Sequence, residues 1–141
     1  MIKVGNHIIY QFNVMKLLNL KGTADTPSVI LDPQKHELKF LGRSLPEDSA
    51  AFYNPILEWL DSYAIDNEED TVAVFKLDYF STSSSKMLLS ILYKLESMSF
   101  SGTNVKVRWY YPEEDDDIEE AGAVYSELVE LPFEHLSYSL D

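Results

Sequence analysis

Ser81, Thr82, Ser83, Ser84 and Ser85 place five hydroxyl side chains in succession, with Lys86 directly after them. Their flanks say where in a fold such a run would stand. Before it, Thr71-Val72-Ala73-Val74-Phe75-Lys76-Leu77-Asp78 is apolar and rich in β-favouring residues. After it, Met87 to Leu95 has helical apolar spacing. The hydroxyls therefore fall where a strand hands over to a helix, at the carboxyl edge of an α/β sheet. A helix N-terminus has free backbone amides and a partial positive charge, so it favours an anion such as a phosphate. A single hydroxyl is enough to cap a helix. The run is either an over-supplied cap or a phosphorylation switch. Phosphorylation of Thr82 would add a charge of about −1.5 to −2 at the helix tip. Lys86, one turn on, is placed to approach it. Such a modification changes the charge and shape of one corner without unfolding anything, which is enough to expel a partner packed there.

A second concentration of reactive groups is the acidic run Glu113-Glu114-Asp115-Asp116-Asp117, followed by Glu119 and Glu120. Carboxylates bind hard cations, but the run lacks the alternating ligand spacing and central glycine of an EF-hand. Acidic residues opening a helix also complement its dipole, or steer a basic partner. Nucleophilic catalysis has little support. His7, His36 and His135 are scattered, and no Ser-His-Asp grouping follows from their order. No Walker glycine loop precedes Lys86, so Ser84-Ser85-Lys86 is not a nucleotide site, and no cofactor is expected. Trp59 and Trp109 lie on inferred core faces.

Composition bounds the rest. The chain has 141 residues, 45% hydrophobic and 13% aromatic, with a formal net charge of −13. That length favours one domain with one core. The charge repels phosphate backbones and anionic lipid surfaces, which argues against nucleic acid and membrane as partners. There is no cysteine, so disulfides, thiol catalysis and cysteine-bound metals are excluded. No apolar stretch reaches the roughly 18 residues of a membrane span. Polar residues interrupt any signal-like segment at the N-terminus, and a cytoplasmic protein is expected.

The positioning elements read as follows. Ser28–Leu31 and Glu37–Leu41 are strands joined by the turn Asp32-Pro33-Gln34-Lys35, with Gly42 ending the second. A helix opens near Pro46-Glu47-Asp48-Ser49 and directs Phe52, Ile56, Trp59, Leu60 and Tyr63 inward. Pro55 predicts a kink there, or a short first helix re-capped by Asn54. Strand 71–79, a helix over about 83–98, strand 105–110 and a helix over about 115–130 follow. In that last helix Ile118, Ala121, Tyr125 and Leu128 face the core. Residues 1–17 are an N-terminal extension or an edge strand, with Met15 an alternative start of the functional module. Residues 18–135 form the domain, and 136–141 a tail. The fold class is α/β, a single domain with three helices and a mixed sheet of about four to five strands, the hairpin strand antiparallel at one side. The carboxyl ends of the strands at Asp78–Phe80 and Tyr110–Tyr111 then border a docking crevice.

Several separated blocks give the chain a family resemblance from about Leu18 to Phe133. They are Gly22-Thr23 with Thr26-Pro27 and Leu31-Asp32; Gly42-Arg43-Ser44-Leu45-Pro46-Glu47 followed by Phe52-Tyr53, Pro55-Ile56-Leu57 and Trp59-Leu60; Tyr79 to Lys86; and Trp109-Tyr110-Tyr111 leading into the acidic run and Ala121-Gly122. In these the chain resembles the SiaC-type bacterial regulatory phosphoproteins. That family often has asparagine where this chain has Ser81. The resemblance implies a STAS-like fold, similar to anti-sigma-factor antagonists, and a partner-switching role without enzymatic activity. It implies a protein kinase that phosphorylates Thr82 and a PP2C-type phosphatase that reverses it. It also implies an unmodified form that binds and regulates an output protein such as a diguanylate cyclase, in cyclic di-GMP and biofilm control. Ser81, Ser83, Ser84 and Lys86 would shape the phosphate site. Tyr79, Tyr111, Glu113, Glu114, Asp115 and Asp116 are the candidate partner contacts. The competing readings are a small metal-dependent enzyme, or a constitutive scaffold, using the 113–120 segment.

Overall fold

The computed structural model describes residues 15–140, together with the backbone of 2–4 and 7–9. Strands β1 (Ile2–Val4) and β2 (His7–Ile9) pair antiparallel with each other in a two-stranded ribbon. Most of the N-terminal extension or edge strand expected over residues 1–17 lies outside the described residues.

The remaining strands form one six-stranded sheet in sequence order: β3 (Leu18–Leu20), β4 (Ser28–Asp32), β5 (Glu37–Ser44), β6 (Thr71–Phe80), β7 (Val105–Pro112) and β8 (Phe133–Tyr138). β3, β4 and β5 are antiparallel neighbours, while β5 to β8 run parallel. Helices α1 (Ser49–Asp66), α2 (Thr82–Phe100) and α3 (Asp116–Leu128) make the three crossovers between the parallel strands. Crossovers of one hand, laid down in one direction, place every helix on the same face. Burial follows this rule. Val29, Leu31, Leu38, Phe40, Ala73, Phe75, Leu77, Val105, Val107 and Trp109 are buried under the helices. The alternate residues Lys39, Val74, Lys76, Arg108 and Tyr110 are only half-buried or exposed. The second face of the sheet is therefore uncovered among the described residues.

The core is a sandwich of this apolar face with Tyr53, Ile56, Leu60 and Tyr63 of α1 and Leu88, Ile91, Leu92, Leu95 and Met98 of α2. Phe40 stacks on Phe75 with ring centres 4.9 Å apart. Trp109, fully buried, meets Tyr125 edge-to-face at 5.4 Å. The indole lies so close to α3 that a Cβ at Gly122 would sit 2.3 Å from it. Only a residue without a side chain fits there.

Five expectations need correction. Gly42 does not end β5. It adopts φ +107 at a bulge, and the strand resumes to Ser44. Glycine tolerates that left-handed backbone and lets the strand turn without stopping. Pro55 does not divide α1, which is one helix from its N-cap at Asp48 to Asp66. Ala51, whose carbonyl loses its helical donor at Pro55, is exposed to solvent. On that helix the buried aromatics are Tyr53 and Tyr63, while Phe52 and Trp59 are only half-buried. Leu128 is 49% exposed, because α3 turns Gly122 and Tyr125 to the sheet instead. The tail assigned to 136–141 is also shorter, since residues 136–138 belong to β8. With β3 and β8 counted, the mixed sheet has six strands.

Candidate functional site

β6 ends at Phe80 and α2 begins at Thr82. Between them Ser81 is extended, at φ −76 and ψ 167, and its Oγ accepts from the Ser84 amide at 3.2 Å. One hydroxyl of the run is therefore the helix cap. The Ser81 amide donates to the Ser44 carbonyl at 2.9 Å, which fixes the cap to the carboxyl end of β5.

The other hydroxyls are tied down in turn. Ser83 Oγ lies 2.8 Å from Ser49 Oγ at the start of α1 and 3.2 Å from Ser81 Oγ. Ser84 is fully buried, and its Oγ accepts from Ser44 Oγ at 2.8 Å and from Ser81 Oγ at 3.1 Å. Ser44 Oγ in turn meets the Tyr53 hydroxyl at 2.5 Å. Burial pushes the Tyr53 phenol up from its ordinary pKa. Ser85 Oγ donates to the Thr82 carbonyl at 2.6 Å, and the Ser85 carbonyl accepts from Tyr125 of α3 at 2.8 Å. The first turn of α2 is thus anchored to β5, α1 and α3 at once.

Thr82 is the exception. Its side chain is exposed, and its hydroxyl has no hydrogen-bond partner among the described residues. Lys86 is exposed four residues on, on the same helical face, and its ammonium is in no ion pair among the described residues. The first turn of α2 contains no acidic residue. That of α3 carries Asp116, Asp117 and Glu119, with Asp115 as its cap on the Ile118 amide at 3.1 Å. The dipole of α3 is met by its own carboxylates; that of α2 is met by none.

Of the other candidates, Tyr79 is 46% exposed, beside the hydroxyl run. Glu113, Glu114 and Asp116 are exposed, and with Asp115, Asp117, Pro112 and Leu140 they line a shallow depression past the end of β7. Tyr111 is half-buried, and a hydrogen bond to Glu119 raises its pKa. Ser84 does not border the surface site and supports it only from beneath. Among the described residues no three imidazole or carboxylate groups gather as a metal-ligand set, so the 113–120 run builds no metal cage. His36 Nδ1 lies 2.8 Å from the Tyr63 hydroxyl, a structural contact at the opposite end of the sheet. Sequence reasoning gave Ser44, Ser49 and Tyr53 no part in the site, and placed Tyr125 in the core without its tie to α2. Their partners are far away in sequence, and only Ser44 and Tyr53 stood inside recognisable blocks.

Residues 20–138 match the family model described as SiaC family regulatory phosphoprotein. The chain belongs to the SiaC family of regulatory phosphoproteins. It is 29% identical over 119 residues to an uncharacterized protein of Pseudomonas aeruginosa (strain UCBPP-PA14), covering 84% of this chain and 94% of that one. It superimposes on SiaC of Pseudomonas aeruginosa with a TM-score of 0.82 at 28% identity, over 88% of this chain and 100% of the other. The same TM-score and identity hold for SiaC in the crystal structure of the diguanylate cyclase SiaD with its activator SiaC, over 86% and 99%. No helix among the described residues is long and apolar enough to cross a membrane.

Proposed function

We propose that the chain is a non-enzymatic, cytoplasmic phospho-switch whose acceptor is Thr82. A protein kinase phosphorylates it, a PP2C-type phosphatase restores it, and the unmodified form binds an output protein, a diguanylate cyclase. The observation that carries this reading is selective freedom. Of five adjacent hydroxyls, four are engaged in hydrogen bonds, and the fifth is exposed with none among the described residues. It stands on a helix tip without acidic residues, one turn from an unpaired lysine. A phosphate there is favoured by the first-turn amides and by Lys86, and the anchored turn beneath it has no need to rearrange. Ser81 and Ser83 shape the rim of the site. The description of SiaC as activator of a cyclase supports the class of output protein. Tyr79 and Tyr111, with Glu113, Glu114, Asp115 and Asp116, border the docking edge, and the acidic run steers basic surfaces toward it.

The test is phosphopeptide mass spectrometry after incubation with protein kinases of the source cell. Phosphate on Thr82 is expected, and modification confined to any of the four serines defeats the assignment.

A further inference from the structure

Cations are scarce on this chain, and two of them, Arg43 on β5 and Lys76 on β6, share the uncovered side of the sheet with aromatic rings. The ion pairs among the described residues are Lys39–Glu37, Lys94–Asp61, Lys106–Glu134 and Arg108–Glu134. Arg43 and Lys76 are in none of them. Both lie against aromatic rings instead. Arg43 Cζ is 5.2 Å from the centre of the Tyr79 ring. Lys76 Nζ is 4.5 Å from that of Tyr138 and 5.7 Å from that of Tyr110. Asp78, two residues from Lys76 on the same strand, is taken up by the Tyr138 hydroxyl at 2.6 Å.

A ring face holds a cation in place without neutralising it. Arg43, Lys76 and Tyr79 are exposed, and Tyr110 and Tyr138 half-buried. Tyrosine and arginine are the residue types that most often anchor protein interfaces. The patch spans the carboxyl-terminal halves of β5, β6, β7 and β8. Arg43 pairs there with Tyr79, three residues before Thr82. The direction of the switch fixes the sign of what docks there. A phosphate on Thr82 adds negative charge at the α2 tip, three residues along the chain from Tyr79. It would tighten the hold on a basic segment and loosen the hold on an acidic one.

We infer that Arg43, Lys76, Tyr79, Tyr110 and Tyr138 dock an acidic segment of the output protein, its carboxylates on the two cations and its apolar side chains on the tyrosine rings. The inference rests on the Thr82 switch, whose unmodified form is the binding form. On a chain of net charge −13, the patch offers an acidic segment two cations that are in no ion pair among the described residues and lie on aromatic rings.

A synthetic peptide of glutamate, leucine and tyrosine, titrated into the isotope-labelled protein, tests it by NMR amide shifts. Saturable shifts at the five residues are expected. A peptide with lysine for every glutamate should instead shift residues 113–120. Arg43→Ala with Lys76→Ala removes two exposed charges and, with circular dichroism unchanged, should weaken the acidic peptide about tenfold. An acidic peptide that shifts none of the five residues, or binds the double variant equally, overturns the inference. Protein carrying phosphothreonine at position 82 separates the two readings. Weakened binding supports both, whereas undiminished binding at the patch leaves the docking surface standing and overturns the switch.

Discussion

Thr82→Ala removes a hydroxyl that no other described side chain holds, so the fold should not register it. The unfolding free energy from urea titration should stay within about 0.5 kcal/mol of the parent, as for other surface changes. Kinase-dependent phosphate incorporation should disappear, while binding to the output protein persists. Thr82→Glu should imitate the modified form only in part, because a carboxylate carries less charge and fewer acceptor oxygens than phosphate. A pull-down comparing the three forms reads both results. Gly122→Ala is the opposite case. It puts a methyl group 2.3 Å from the Trp109 indole, and overpacking of this kind costs about 1–3 kcal/mol in a urea titration. At this scale the sequence told part of the story. Five hydroxyls after an apolar strand mark a helix tip by type and order alone. Which of them is free depends on Ser44, Ser49 and Tyr53, and nothing local to the run announces those contacts.

Two elements carry predictions of their own. α1 holds Pro55 in its interior, where proline costs about 3 kcal/mol of helix stability. Proline also stiffens the unfolded chain, which returns up to about 1 kcal/mol. Pro55→Ala should therefore stabilise the protein by about 2 kcal/mol, seen as a higher melting temperature. α3 is tied to α2 through Tyr125, whose phenol is pushed up to about 12 by burial. A folded-state pKa above the unfolded value of about 10 means the folded state keeps its proton longer. The stability this supplies is complete below about pH 10 and falls away as pH rises toward 12. Tyr125→Phe should flatten that alkaline limb in denaturant titrations at stepped pH. The central elements were readable because long apolar runs and helical spacing coincide with burial. β3 is three residues long, and β8 follows Pro132 with a mixed pattern of Phe133, Glu134, His135 and Leu136. Their strand character comes from pairing with β4 and β7, which no local propensity carries. Gly42 read as a stop because a bulge and a strand end need the same residue.

Across the whole molecule, the topology was legible from the alternation of strands and helices, because crossover handedness leaves few arrangements. The uncovered face was not legible, since it follows from the spatial order of the parallel strands. That order also leaves β8 at the rim of the sheet, where among the described residues no strand takes up its outer backbone groups. A bare rim of this kind is a template on which a second molecule can add its own strand. At neutral pH the charge of −13 keeps molecules apart. Near the sequence pI of about 4.5 that repulsion vanishes. Light scattering should then rise steeply around that pH and fall again on either side. Colloidal solubility here is guarded by net charge rather than by the shape of the sheet.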